Sequence, residues 1–150
     1  MTMRRLPLLV LLPVLLMGSA QAAERQAKTN FVLKCIGCHL ADGTGLPGQG
    51  IPDFVGKVGV FAGLPEGRAY LLHVPGVIGS SLTDNETAEV LNYIMDKWAG
   101  DSLPKDFVRF TGPEVAVLKA TNIGNVVNYR RVVADKLAKS GLTVADYPWP

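Results

Sequence analysis

From residue 24 onward, stretches with apolar residues at helical spacing alternate with stretches punctuated by Gly and Pro. Ala27, Phe31 and Cys35 recur at every fourth position, which places them on one face of a helix expected over residues 24–34. A small residue and an aromatic on that face let a second helix pack closely. The strongest helical signal begins at Thr83. Thr83-Asp84-Asn85-Glu86 reads as a capping box, and Val90, Leu91, Ile94 and Trp98 come after it as an apolar stripe. Asp84, Glu86 and Glu89 put negative charge at the start of this helix, Lys97 lies in its last turn, and Gly100 is the expected terminator. Tyr93, beside the stripe, is expected to pack on the first helix.

Between these helices the pattern is broken. Residues 42–52 are rich in Gly and Pro and predict a loop with fixed turns and positive φ values. Gly59, Gly63 and Gly67 predict an irregular stretch until Pro65 opens a short helix ending near His73, and Val74-Pro75-Gly76 is expected to stop it. Beyond Trp98, residues 99–110 read as a linker. Thr111-Gly112-Pro113-Glu114 reads as a helix start. Asn122, Gly124 and Asn125 divide the stretch up to Gly141 into two helices, the second ending at that glycine. Val115, Val117, Leu118, Val126, Val127, Val132, Val133 and Leu137 supply their apolar positions. The expected fold class is all-α. Tyr147-Pro148-Trp149-Pro150 reads as an exposed aromatic tail.

The first 22 residues differ from the rest. Arg4 and Arg5 precede an apolar run of 12 residues, Leu6 to Met17, and Ala20-Gln21-Ala22 has the small-x-small form of a cleavage site. The run is shorter than the ~20 residues a membrane-spanning helix needs, and Pro7 and Pro13 interrupt it. A secretory signal peptide cleaved after Ala22 is the expectation. The whole chain carries 15 basic and 13 acidic residues; without Arg4 and Arg5 the balance is 13 to 13. A neutral mature chain without basic runs excludes the usual electrostatic footprint of nucleic-acid binding. No second apolar segment predicts a membrane span after cleavage.

The candidate chemistry lies in Cys35-Ile36-Gly37-Cys38-His39, which matches Cys-x-x-Cys-His, the attachment site of a c-type haem. Two thiols at this spacing add to the two porphyrin vinyl groups, and the next residue's imidazole lies where it can bind iron. Both cysteines of the chain are in the motif, so no thiol is left for a structural disulfide. A thioredoxin-like dithiol would come after a strand, whereas a helix precedes Cys35. Half of a zinc site would need a second ligand pair, and His73 is the only other His.

With these residues in view, the chain resembles the class I c-type cytochromes over about residues 24–98. The spaced Ala27, Phe31 and Cys35 resemble the family's N-terminal helix, and Leu91-Asn92-Tyr93-Ile94 resembles the helix that crosses it. Pro52-Asp53-Phe54-Val55-Gly56 resembles the family's Pro-x-Leu-x-Gly segment. The resemblance implies a cytochrome c-like fold around one haem, bound covalently through Cys35 and Cys38, with His39 as proximal iron ligand. It implies that the Pro52 carbonyl orients His39, and that the haem is attached in the periplasm after export. The expected organisation is a signal peptide (1–22), a haem domain (23–100) and a helical extension (101–150). That extension is read either as packing on the haem domain or as docking a partner.

One departure matters. The family usually supplies a Met as sixth ligand in the loop before the last helix. Here that loop runs from His73 to Leu82, Val74 stands where Met would be expected, and the mature chain's single Met, Met95, lies inside the helix. Three arrangements stay open: His73 as distal ligand, Met95 as distal ligand, or an open site. The expected function is electron transfer without catalysis, from a periplasmic dehydrogenase to a downstream carrier or oxidase. The alternatives are a haem enzyme or ligand sensor with an open distal site, or an obligate haem subunit of a dehydrogenase complex.

Overall fold

The structure, a computed structural model, describes residues 25–148. The expected signal peptide, the cleavage point after Ala22, and Trp149-Pro150 lie outside the described residues. Among the described residues there are seven α-helices: α1 (Ala27–Lys34), α2 (Gly59–Ala62), α3 (Pro65–His73), α4 (Pro75–Ile78), α5 (Asp84–Ile94), α6 (Gly112–Lys119) and α7 (Val126–Lys139). A π-helical turn, Met95–Ala99, continues α5, and 3-10 turns occupy Pro47–Gln49 and Gly100–Ser102. The only β pairing among the described residues is an isolated bridge between Leu46 and Ile51, so the fold is all-α.

Local chemistry accounts for most boundaries. Thr83 caps α5 with both halves of the capping box: its hydroxyl accepts from Glu86 N–H at 3.1 Å, and the Glu86 carboxylate accepts from Thr83 N–H at 3.0 Å. Thr111 and Asn125 accept N–H bonds at the starts of α6 and α7. Gly141, at φ 75°, closes α7 with bonds from its own N–H to Ala138 O and from Leu142 N–H to Leu137 O, a Schellman arrangement.

Two expectations between 59 and 82 need correction. The stretch before Pro65 contains the short helix α2, all four of its residues buried, rather than an irregular segment. Val74 does stop α3, being extended at φ −62° and ψ 140° as a residue before proline tends to be, but Pro75 then opens α4 instead of only terminating α3.

α1 packs against α5, and α5 in turn against α6. Phe31, 2% exposed, lies 5.8 Å from the Tyr93 ring and 4.8 Å from that of Trp98. Tyr93 thus packs on the first helix as its place beside the α5 stripe predicted. Val90, Leu91 and Ile94 are buried, and one continuous core runs on through Phe110, Val115, Val133 and Leu137. The reading of 99–110 as a plain linker is therefore incomplete. Phe110 is buried, its N–H donates to Asn92 Oδ1 at 2.9 Å, and its carbonyl accepts from Asn92 Nδ2 at 2.9 Å. Val117 and Val132, expected on apolar faces, are 69% and 68% exposed. Tyr147 is half-buried under the Arg130 guanidinium, 4.1 Å from its ring, so the tail is docked at least that far.

Candidate functional site

The motif folds as a continuation of α1. Cys35 N–H donates to Phe31 O, and both Cys38 N–H and His39 N–H donate back to Cys35 O at 3.1 and 2.8 Å. This single turn carries the chain from the buried face of α1 to His39. Cys35 is half-buried and Cys38 exposed, and neither is in a disulfide. Burial, with Cys38 beside it, pushes the Cys35 thiol up to about 11. A redox-active Cys-x-x-Cys needs the opposite, a thiolate stabilised near neutral pH.

His39 is placed by aromatic packing. Its ring stacks on Phe54 at 3.8 Å between centroids and 19° between planes. Phe54 lies 6.0 Å from Trp98, and Trp98 reaches Phe31 on α1, so the motif and the end of α5 share one aromatic cluster. The loop closes under the same indole. Trp98 covers Gly43, which sits at φ 86° and where a Cβ would collide with the ring. Gly56 N–H donates to Trp98 O at 2.7 Å. Gly45 N–H donates to Asp53 Oδ1 at 2.7 Å, tying the two ends of the Gly- and Pro-rich loop together.

The His39 environment suits an iron ligand. Burial pushes its imidazolium down to about 4, against the opposing Asp53 carboxylate, so the ring is neutral at pH 7. Its Nδ1 is buried and has no hydrogen-bond partner. A buried ring nitrogen without a partner is costly, so this N–H calls for an acceptor. Leu40, Leu46 and Val55, in the segments after the motif, are exposed apolar side chains. Among the described residues, no group of three or more His, Cys, Asp or Glu side chains is arranged to hold a metal ion by itself. Two free thiols followed directly by a neutral imidazole are the donor set that fits a haem.

Of the other predicted site residues, Pro52 is half-buried and lies two residues before Phe54; its carbonyl faces Gly45 and is not bonded to His39 Nδ1. His73 ends α3, half-buried. Its Nδ1–H donates to Ala69 O at 2.8 Å, which leaves Nε2 with its lone pair free. It makes no hydrogen bond or ring contact with the motif among the described residues. Met95, 1% exposed, is packed in the hydrophobic core. Sequence reasoning did not assign site roles to Trp98, Gly43 or Phe54. Trp98 was legible only as part of the α5 stripe, and Gly43 only as one of several loop glycines.

A helical protein whose first helix runs into a Cys-x-x-Cys-His turn while packing on a later helix, α5, has the arrangement of a haem-binding protein of the cytochrome type. The comparisons with known proteins agree. The chain is 31% identical over 131 residues to a cytochrome c-552 of Thermus thermophilus, an alignment covering 75% of this chain and 87% of the relative. It is 33% identical over 108 residues to another cytochrome c-552 of Thermus thermophilus, covering 60% of this chain and 82% of that one. No family model matches the chain. The chain belongs to the c-type cytochromes, electron carriers with a haem c cofactor, as its motifs implied.

Proposed function

We propose that this chain is an exported monohaem cytochrome that accepts electrons from a periplasmic dehydrogenase and passes them to a downstream carrier or oxidase. In this reading residues 1–22 are a signal peptide removed after Ala22, 23–100 form the haem domain, and 101–150 form an extension of it. The haem, when bound, supplies an iron that cycles between ferric and ferrous states without making a substrate bond. Cys35 and Cys38 would hold it through thioethers. His39 would ligate the iron, and the other ring N–H would then need an acceptor. The Pro52 carbonyl, on the segment whose Phe54 stacks on His39, is the proposed one.

The observation that carries the reading is the half-buried His39 ring, stacked on Phe54 and neutral at pH 7, directly after two free thiols. For the distal side we propose His73. Its Nδ1–H is committed to Ala69 O, which presents Nε2 as the free nitrogen, whereas Met95 would have to leave the core to reach an iron. Small redox interfaces are weak and transient, in keeping with a mature chain that carries equal numbers of basic and acidic residues. No helix among the described residues is long and apolar enough to cross a membrane.

The test is spectroscopic. A pyridine haemochrome with the c-type shift, and haem retained in acid acetone, are expected for the purified protein; extractable haem overturns covalent attachment. Ferric EPR is expected to show a low-spin bis-imidazole signal that becomes high-spin in His73→Ala. A low-spin signal unchanged by the substitution removes His73 from the iron, and a high-spin wild-type spectrum favours the open-site enzyme or sensor.

A further inference from the structure

Helix α3 ends in His73, and three of its earlier side chains are engaged by the C-terminal third of the chain. Glu66 Oε1 accepts from Lys136 Nζ at 2.7 Å on the exposed rim. Tyr70, buried, lies close enough to Arg130 for that positive charge to pull against the burial that raises its hydroxyl. Between them Arg68 makes the most extensive contact. Its Nε and Nη2 donate to the two Glu114 oxygens at 2.6 Å each, a bidentate pair. Its Nη1 donates to Val108 O at 3.0 Å and Ala62 O at 3.3 Å, and its guanidinium lies 3.8 Å from the centre of the Phe110 ring. The side chain is 11% exposed. Exposed ion pairs contribute little, but a desolvated fork that also binds two carbonyls and stacks on an aromatic fixes its helix in rotation and height.

We propose that Arg68 is a positioning residue: through it the C-terminal extension clamps α3 and thereby sets the distal wall of the haem site, where His73 stands. His73 lies five positions beyond Arg68, about 7.5 Å along the helix axis. The helix between them has little freedom, since Ala69, Tyr70, Leu71 and Leu72 are all buried. Val74 and Pro75 break the chain directly after His73, so α3 has no continuous helix on that side to hold it, and the grip comes from the preceding turn. The extension thus acts on the site from inside the molecule. The clamp rests on the reading of His73 as distal ligand for its spectroscopic consequence, though not for its effect on α3.

The test uses the full-length haem-loaded protein carrying Arg68→Met, Arg68→Lys or Glu114→Gln, which keeps the fold's apolar contacts. Two readouts are taken together: hydrogen–deuterium exchange of the last-turn amides of α3, and the ferric spin state with the midpoint potential. In Arg68→Met, exchange there is expected to rise about a hundredfold, with part of the low-spin signal lost and the potential shifted. Arg68→Lys, which keeps the charge, is expected to recover part of both, and in Glu114→Gln exchange is expected to rise about tenfold. If Arg68→Met and Glu114→Gln leave α3 exchange and spectrum at wild-type values, the clamp is refuted, even where the denaturation midpoint falls. Faster α3 exchange with a spectrum insensitive to both Arg68→Met and His73→Ala supports the clamp and rejects His73 as ligand. A spectrum that responds to His73→Ala while Arg68→Met changes neither readout does the reverse.

Discussion

Asn92 offers a sharp test of whether the C-terminal third and the haem domain are one cooperative body. Its side chain, 7% exposed, pairs with both backbone groups of Phe110, itself 3% exposed, through two bonds of 2.9 Å. Asn92→Ala leaves a buried N–H and a buried carbonyl without partners. Each such orphan costs at least about 1–1.5 kcal/mol, so the two together cost about 3 kcal/mol. At this chain length that corresponds to a fall of about 10 °C in Tm. The assay is urea unfolding of the haem-loaded protein, followed by far-UV circular dichroism and by the Soret band. Both transitions are expected to shift together with unchanged m values, since coincident transitions mark a single unit. Arg109→Ala, which breaks an ion pair 58% and 52% exposed, is the control and should cost no more than about 1 kcal/mol. A loss below about 0.5 kcal/mol in Asn92→Ala, or a far-UV transition that separates from the Soret transition, refutes the reasoning.

Further outcomes can be checked alongside it. Phe31→Ala removes the ring on which α1, Tyr93 and Trp98 meet and should destabilise by about 3–5 kcal/mol in the same unfolding assay. Gly67→Ala sets two effects against each other: Ala is favoured in a helix by about 1 kcal/mol, but its Cβ would run into the backbone carbonyl of Phe61. Backbone collision should win, giving a net loss of about 1–2 kcal/mol; a more stable variant would show that α2 and α3 can separate freely. The Glu86 carboxylate is held below the usual 4.5 chiefly by the Thr83 N–H, so its contribution is present above that pH and is lost as pH falls through its folded value. Glu86→Gln should therefore flatten the acid limb of stability against pH, and an unchanged limb would remove the capping box from the account.

The parts of this protein that depend on adjacent residues were legible in the sequence. Cys35, Cys38 and His39 define haem chemistry because one turn of backbone is all that separates the two thiols and the imidazole. The Thr83 capping box, Pro65 at the first turn of α3 and Gly141 at the end of α7 arise from φ restrictions and from bonds within a few residues. Even there the signals were incomplete: α2 and α4 are short, and Gly- and Pro-rich stretches support helical turns as well as loops once their residues are packed.

Contacts between distant positions came only from the tertiary structure. Arg68 and Glu114 are 46 residues apart, Asn92 and Phe110 18 apart. A charged or amide side chain in a sequence reads as solvated until packing removes its water, and only then does the demand for a partner become decisive. The same holds at the site. In the sequence Trp98 is one position of an apolar stripe, Phe54 one of a five-residue segment and Gly43 one loop glycine, until the fold brings the indole onto Gly43 and the Phe54 ring onto His39. Adjacent residues alone specify which cofactor chemistry this chain carries, because covalent spacing is local. What holds that chemistry in place emerges only on folding, because aromatic stacking and buried polar pairing exist only between groups that have been brought together and stripped of water.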